Sequence, residues 1–415
     1  MKKQKNDMVK NHIWMELYKL FDKFINNSTG WMYAAQSKWK SADLFRRLAQ
    51  ASLENTSIED VCENYEGCSA DTVQYRLKQV EFNQTVQQIN DILRYIAQGF
   101  KLHKNQKITV AIDVTDHPWY GDTDHELSVG SKIKSGTQYF NRYFTACIIT
   151  KTYRIPIFFR PIRQEDGTSP HFLVEELLRE VFWWCPISRL LADAWFFSLD
   201  LFELLKMHNI EFLFNLKVRD KTKKRIEMIK ETQRQLASLE NVDVSKAKDF
   251  YLWLKKNSLL TFKFESSFTL RNFHQFPVVL QTILKKKQKG RKKYKEYIAI
   301  FSYTSNINAS GEYLKSLYKR RWGIETQYRI ARQFQAKTCS LSTGLRIFLN
   351  GLSYILTALW LRLSLISNRI ISTRKNTIDY ELPLSIKSKD RLLYTVSFVK
   401  RSICCEQSYN IGGQL

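Results

Sequence analysis

Apolar residues recur at the spacing of α-helices through the first quarter of the chain. This periodicity predicts helices over residues 13–26, 41–53, 58–65, 69–80 and 86–100. Because strand-like alternation does not interrupt these helices, residues 1–104 are predicted to form a separate all-α domain.

The stretch 57–80 has the pattern of a helix-turn-helix. Gly67 falls in the turn, and Ser69 is placed to cap the second helix. That helix would expose four side chains that can reach base edges and phosphates in a major groove: Thr72, Gln74, Tyr75 and Arg76. Glu63 stands where such motifs prefer a small residue, so an ordinary helical hairpin is the alternative to a DNA-binding domain.

From residue 107 the apolar pattern changes to the two-residue period of β-strands. It predicts strands over 107–116, 138–150 and 153–162, a helix over 170–183, a strand over 187–196, a helix over 198–208 and a strand over 210–218. This is the element order of a ribonuclease-H-like core, so the predicted fold class is α/β with a first core segment at 105–218. Such a core carries acids on its first and fourth strands, and Asp113 and Asp193 stand at those places.

Residues 219–296 are predicted to be a basic insertion into this core. A charged helical stretch over 219–256 precedes a β-hairpin with strands over 276–283 and 294–304. The turn between the strands, 285–295, holds eight Lys or Arg residues in eleven, which exceeds the need to protect an edge strand from aggregation. We therefore predict DNA phosphate contacts for the basic residues of this tip: Lys285, Lys286, Lys287, Lys289, Arg291, Lys292 and Lys293.

A second core segment is predicted over 297–370, followed by a basic tail over 371–415. The segment includes a single helix over 311–337, on which four residues share one face because they are three, four and seven positions apart: Tyr318, Arg321, Glu325 and Arg332. A carboxylate among cations suits a metal ion held beside a polyanion. The alternative is a solvated helix in which Glu325 pairs with arginines four residues away on either side.

The formal charge of +25 indicates an anionic partner, and its distribution is uneven. Residues 1–220 hold 28 basic and 27 acidic side chains, whereas residues 221–415 hold 37 and 13. Since almost all the excess is C-terminal, that half is predicted to lie on double-stranded DNA.

The cellular compartment is predicted from three features of the chain. The basic N-terminus lacks the apolar region of a signal peptide, and the seven cysteines form no CxxC pair or regular framework. The apolar helix predicted over 347–366 contains Asn350 and Arg362, which favours a buried helix over a membrane span. A cytoplasmic, nucleoid-associated protein without a membrane partner is therefore expected.

Two-metal phosphodiester chemistry would account for the three acids together. Asp113 and Asp193 lie within apolar runs, where a carboxylate is costly unless it is ligated or paired. Mg²⁺ requires carboxylate ligands, and Glu325 would supply the third. Each Asp alone could be a structural acid or a helix N-cap. By strand register Asp116 is the alternative to Asp113, although Pro118 ends the strand and favours the more interior Asp113.

These motifs resemble those of DDE transposases of prokaryotic insertion sequences, in the branch marked by a Tyr-x2-Arg-x3-Glu-x6-Lys helix. The signature stands as Tyr318, Arg321, Glu325 and Arg332, with Arg at the usual Lys position and Lys337 further on. The first-acid motif, Asp-x-Thr, begins at Asp113. The second departs from the family pattern Asp-Arg-Gly-Phe or Tyr, because the chain reads Asp-Ala-Trp-Phe from residue 193.

The resemblance implies cleavage at the ends of a mobile element and transfer of the freed 3′-hydroxyl into target DNA. It implies that Asp113, Asp193 and Glu325 hold Mg²⁺, with Mn²⁺ as a substitute, and that a homodimer acts on paired DNA ends. The alternatives are another ribonuclease-H-like endonuclease or resolvase, and a DNA-binding derivative that has lost the chemistry.

The resemblance also assigns DNA contacts near the acids. Tyr318 and Arg321 would grip the element end, while Arg332, and Lys337 nearby, would hold backbone phosphate. Trp195 and Trp322 flank the acids in sequence and could stack on an unpaired base, although the favoured interpretation places both in the core.

Overall fold

The computed structural model describes residues 38–39, 41–78, 82–100, 108–123, 125–150, 153–166, 170–215, 220–267, 275–286, 294–303 and 309–373. The helix predicted over 13–26, the tip residues 287–293 and residues 374–415 lie outside this part of the chain. The chain divides into two compact units. The helical unit is built from 1–102, 155–159 and 327–415, and the sheet unit from 103–154 and 160–326.

Four helices open the described chain: α1 (Ser41–Glu54), α2 (Ile58–Asn64), α3 (Ala70–Lys78) and α4 (Phe82–Gln98). They confirm the helices predicted over 41–100, with small changes at their ends. Helix α2 begins with a capping box in which Ser57 and Asp60 exchange side-chain to backbone hydrogen bonds. The Ser69 side chain accepts a hydrogen bond from the Thr72 N–H, as its predicted capping role requires.

The next elements alternate strands and helices: β1 (Ile108–Pro118), β2 (Ser128–Lys134), β3 (Thr137–Ile149), β4 (Arg154–Pro161), α5 (His171–Val181), β5 (Ile187–Ala192), α6 (Leu199–Met207) and β6 (Glu211–Asn215). The predicted order is confirmed, with one strand missed. Strand β2 was not predicted because, apart from Ser128, its side chains are partly or fully exposed, so it lacks an apolar alternation.

The described residues of the insertion form two helices and three strands: α7 (Asp220–Leu239), α8 (Ala247–Lys256), β7 (Thr261–Ser267), β8 (Gln275–Lys286) and β9 (Tyr294–Tyr303). The predicted hairpin is confirmed as β8 and β9, whereas β7 was missed. Helix α8 contacts β8 and β9, and its Phe250, Trp253 and Leu254 form an apolar cluster with Ala237 of α7 and with Leu260. The insertion is therefore folded around its own small apolar core.

The sheet unit has a mixed α/β architecture around a central mixed sheet. Eight strands follow the order β2-β3-β1-β5-β6-β9-β8-β7, in which β1, β5 and β6 run parallel and the remaining pairs are antiparallel. Because β9 pairs with β6, the strands of the insertion extend the same sheet. Helix α6 packs on it, with Phe202 stacked 4.4 Å from Phe212 between ring centroids. This arrangement is consistent with the predicted core.

The single helix predicted over 311–337 is wrong. The chain instead forms α9 (Gly311–Lys319), α10 (Trp322–Ala331) and a 3₁₀ turn over Arg332–Phe334. At the break, the Arg321 N–H bonds the carbonyl of Tyr318 and the Ile324 N–H bonds that of Arg321, each three residues back. Such bonds tighten the backbone relative to an α-helix, so a straight helical face does not join the four signature residues.

The last helix of the described residues, α11 (Thr343–Thr373), forms the core of the helical unit. Residues 343–362 are long and apolar enough to cross a membrane, but 83% of their most apolar stretch is buried inside the protein. A Cβ added at Gly351 would lie 2.2 Å from the Ile89 side chain of α4, so the glycine permits this close helix contact. The buried helix predicted over 347–366 is thus confirmed and extends further at both ends.

Candidate active site

Asp113 and Asp193 occupy equivalent positions on two neighbouring parallel strands. Ala111 of β1 is paired with Leu191 of β5, and each acid lies two residues beyond its member of that pair. Residues at matching positions along neighbouring parallel strands lie at the same level of the sheet, although β1 continues past Asp113 and β5 ends before Asp193. Both acids therefore lie at the same end of the sheet.

Asp193 follows β5 directly and caps a 3₁₀ turn, Ala194–Phe196. Its Oδ1 accepts a hydrogen bond of 2.9 Å from the Trp195 N–H. The strand predicted to run through residue 196 therefore ends at Ala192, since the carboxylate of Asp193 stabilises a turn there. Of the alternatives considered for this acid, the N-cap role is observed, and it engages one of the two carboxylate oxygens.

Arg321, at the break between α9 and α10, brings Glu325 and Asp113 together. Its Nη1 lies 3.3 Å from Asp113 Oδ2, and its Nη2 lies 3.2 Å from Glu325 Oε1. Only 8% of Arg321 is exposed, and its guanidinium also lies over the rings of Tyr318 and Trp322, at 5.5 and 5.7 Å from their centroids. One side chain thus joins a strand acid to an acid 212 positions later in the sequence.

The charges at this site act on one another. Burial raises the pKa of Asp113 to about 6, while the Val114 N–H and the Arg321 guanidinium oppose that rise. The negative charges of Asp193 and Glu325 raise the pKa of Asp113 further. The three acids are therefore close enough to interact electrostatically. Burial also raises the pKa of the Tyr318 hydroxyl to about 12, which keeps it protonated at neutral pH.

Asp116, the alternative to Asp113, has different partners. Its carboxylate bonds Arg142 Nε at 2.8 Å and Lys134 Nζ at 3.4 Å. Because it lies three residues after Asp113 on the same strand, its side chain points to the opposite face of the sheet. This geometry favours Asp113 as the acid that faces Glu325.

The sequence matches the family described as the transposase DDE domain over residues 104–361. This span is more than half of the chain. The protein belongs to the transposase DDE domain family. The matched span includes Asp113, Asp193 and Glu325 as well as the insertion between the last two. No curated protein matches the chain.

Within this transposase domain, Asp113, Asp193 and Glu325 are the candidate ligands of a divalent cation. In the described part of the chain, no group of three or more His, Cys, Asp or Glu side chains has the geometry of a metal site. The guanidinium of Arg321 lies between Asp113 and Glu325 and contacts both carboxylates. Carboxylate oxygens are nevertheless the ligands that Mg²⁺ prefers, so the chemistry of the donors fits this ion.

The remaining signature residues belong to the helical unit. Arg332 and Lys337 are both exposed. Asn55 Nδ2 donates to the Arg332 carbonyl at 2.8 Å, and the Lys337 N–H bonds the Thr56 carbonyl. These backbone contacts fix the segment against the turn that precedes α2 and leave both cationic side chains at the surface.

The predicted DNA-reading residues of α3 differ in their availability. Tyr75 is exposed, whereas Gln74 Nε2 donates to Glu59 of α2 at 2.5 Å. Thr72 and Arg76 are half-buried. At the hairpin tip, Lys285 and Lys286 end β8, paired with Lys295 and Tyr294 of β9. The tip residues Lys287, Lys289, Arg291, Lys292 and Lys293 lie outside the described residues.

The two tryptophans beside the acids have different environments. Trp322 is 57% exposed, so the core interpretation of this residue is wrong. Trp195 is half-buried against Phe196. The Val114 N–H donates a hydrogen bond of 2.9 Å to Asp113 Oδ1. This contact could not be predicted from the sequence, because a backbone N–H is present whatever the residue type.

A pH-dependent effect on stability follows from the buried Asp113. Its pKa is about 6 in the folded protein and 3.8 in the unfolded chain, so the folded state binds more protons between these values and loses stability as pH rises through them. Asp113→Asn removes this loss. In urea denaturation with chelator present, the free energy of unfolding of the variant minus that of the wild type should rise by about 1 kcal/mol between pH 5 and pH 7.5.

The exposed Asp122 provides the control for this measurement. Asp122→Asn should change the free energy of unfolding by less than about 0.5 kcal/mol at either pH, as expected for a surface substitution. An Asp113→Asn variant whose difference from the wild type is the same at both pH values would contradict the proposed burial of the charge.

Proposed function

We propose that the protein is the transposase of an insertion sequence, in the branch with the Tyr-x2-Arg-x3-Glu-x6-Lys helix. It cleaves the ends of its mobile element and transfers the 3′-hydroxyl ends into target DNA. The observation that carries this proposal is the link from Arg321 to both Asp113 and Glu325 inside a span that matches the transposase DDE domain. We assign Asp193, which directly follows β5 in register with Asp113, as the third acid.

In this proposal the sheet is a ribonuclease-H-like core, and Asp113, Asp193 and Glu325 hold Mg²⁺, which Mn²⁺ can replace. Ions held by these residues would activate an oxygen nucleophile and would relieve charge at phosphorus and at the departing 3′ oxygen. We assign the hydroxyl of Tyr318, whose raised pKa keeps it protonated, and the guanidinium of Arg321 to phosphate oxygens at the element end. The exposed ring of Trp322 offers a face for an unpaired base.

The DNA partners are assigned to surfaces on both units. The all-α domain over 1–104 binds element ends through Tyr75 and Arg76, while Arg332, Lys337 and the basic hairpin tip bind phosphates. A homodimer holds the two ends, because both must be joined in one event. The protein acts in the cytoplasm on nucleoid DNA, without a membrane partner.

A strand-transfer assay tests the proposal. DNA duplexes that carry the ends of the element around the reading frame, already cleaved to a 3′-hydroxyl, are incubated with the protein, Mg²⁺ and a supercoiled plasmid. We expect covalent joining of the duplex ends to the plasmid, because the transferred hydroxyl is already present. Duplexes with a 3′-dideoxy end serve as the matched control and should give no product.

The other outcomes identify the alternatives. Cleavage of uncut ends without any joining of pre-cleaved ends would indicate an endonuclease or resolvase. Binding of both substrates with neither cleavage nor joining would indicate a derivative that has lost the chemistry. Either result would reject the transposase proposal.

A further inference from the structure

Arg321 is held among the acids by bonds that are incomplete. Its contacts to Asp113 and Glu325, at 3.3 and 3.2 Å, are longer than the roughly 2.7–2.9 Å of a strong charge-assisted hydrogen bond. Its Nε is buried without a hydrogen-bond partner. The Glu325 side chain remains 40% exposed. The guanidinium is therefore enclosed, but its hydrogen bonds only partly compensate for its burial.

A divalent cation and this guanidinium would compete for the same oxygens. Arg321 uses Asp113 Oδ2 and Glu325 Oε1, and these two acids belong to the set that would hold a metal ion. Like-signed ions cannot both occupy the space between two carboxylates without strong repulsion, and Mg²⁺ has twice the charge of a guanidinium. Binding of one therefore requires departure of the other.

The local structure gives Arg321 a place to go. The residue lies at the break between α9 and α10, outside a regular helical turn. Its guanidinium already lies over the ring of Trp322, which is largely exposed. Rotation about the side-chain bonds can carry the guanidinium toward that ring and solvent while its charge remains stabilised by the aromatic face.

We propose that Arg321 occupies the metal position in the DNA-free protein and that a divalent cation must displace it from Asp113 and Glu325. This inference rests on the proposed function, since it concerns the same acids. The displaced guanidinium then becomes available to DNA phosphate at the same edge of the sheet. Metal binding and the binding of a DNA end are coupled through this one side chain. Without either ligand, Arg321 remains bonded to Asp113 and Glu325.

Direct measurement of Mn²⁺ binding tests this inference without an activity assay. Free Mn²⁺ is titrated by electron paramagnetic resonance in chelator-treated, desalted protein without DNA. Arg321→Met should bind Mn²⁺ about tenfold more tightly than the wild type, because the competing charged hydrogen bonds are gone. The control is Arg320→Met, which removes the same charge from the exposed neighbour and should change affinity less than about twofold.

A second variant covers the case in which Arg321→Met does not fold. Arg321→Lys keeps the charge, but its single ammonium cannot bond both carboxylates as the forked guanidinium does. It should bind Mn²⁺ about threefold more tightly than the wild type. Circular dichroism and thermal unfolding show which of the two variants is folded, and the Mn²⁺ affinity of that variant is the one compared with the wild type.

The acid variants separate failure of the inference from failure of the proposed function. If Asp193→Asn and Glu325→Gln lose Mn²⁺ binding while the folded Arg321 variants bind it no better than the wild type, Arg321 only positions the acids and the displacement is rejected. If the acid variants bind Mn²⁺ like the wild type, the acids are not metal ligands. The proposed function then fails together with the inference.

Discussion

Asp113→Asn, Asp193→Asn and Glu325→Gln should each reduce cleavage of element-end DNA at least about 10³-fold, because each removes a charged ligand and several kcal/mol of transition-state stabilisation. The single-turnover rate on duplexes that span the element end measures this. Binding of the same duplexes should change less than about threefold in each variant. Thermal unfolding of each variant shows whether a loss of activity reflects unfolding.

Asp116→Asn is the matched control for these three variants. Asp116 is on the same strand as Asp113, but its carboxylate bonds Arg142 and Lys134. Its substitution should lower the cleavage rate less than about tenfold, since it touches neither Arg321 nor the other acids. Equal losses of cleavage rate in Asp113→Asn and Asp116→Asn would contradict the assignment of Asp113, and not Asp116, as the acid that takes part in cleavage.

The salt dependence of DNA binding should change strongly when the hairpin tip is neutralised. Replacing Lys289, Arg291, Lys292 and Lys293 by Gln removes up to four phosphate contacts and should reduce the slope of log affinity against log salt by between about 2 and 4. Affinity at low salt should fall by at least about 10²-fold. Fluorescence anisotropy of labelled duplexes over a range of NaCl concentrations measures both quantities.

Helix α8 and its N-cap provide a control that removes the same charge elsewhere in the insertion. The four lysines concerned are exposed: Lys246, Lys248, Lys255 and Lys256. Their replacement by Gln should change the slope by less than about 1, because long-range attraction is screened beyond a Debye length. If the tip variant and the α8 variant change the salt slope equally, the effect depends on total charge, and the prediction that the tip contacts DNA phosphates is rejected.

Strands β1 and β5 were predictable because each contains a run of apolar residues that is followed by an aspartate, Asp113 or Asp193. Asp113 lies within an eleven-residue strand that ends at Pro118, as predicted. The family resemblance rested on the same residues, and the match over 104–361 confirms the transposase DDE domain. The assignment of particular residues to catalysis stays a proposal.

Two features of the fold could not be predicted from the pattern of hydrophobic and polar residues. Strand β2 has only Ser128 buried, so its alternation does not stand out against a loop. Strand β9 pairs with β6, and this pairing makes the insertion part of the central sheet. Pairing between strands some 90 residues apart depends on long-range backbone hydrogen bonds, which a local period does not record.

The break in the Glu325 helix shows the same limit at the site. Helical spacing over 311–337 continues through Arg320 and Arg321, and Gly323 lies inside α10 rather than at the break. A Cβ at Gly323 would lie 2.0 Å from the Arg154 side chain, so the glycine allows close packing instead of ending a helix. The local pattern could not distinguish these roles.

The amino-acid sequence by itself determined the order of the strands and helices apart from β2, β7 and the break before Trp322, as well as the apolar core helix, the C-terminal charge excess and which acids are costly to bury. These follow from periods of two and 3.6 residues and from side-chain chemistry, all of which are local. Only the tertiary structure decided that Asp113 and Asp193 occupy equivalent strand positions and that Arg321 bonds Asp113 and Glu325. Those relations require parallel pairing and the tightened turn between α9 and α10, which bring together side chains that are distant in the sequence.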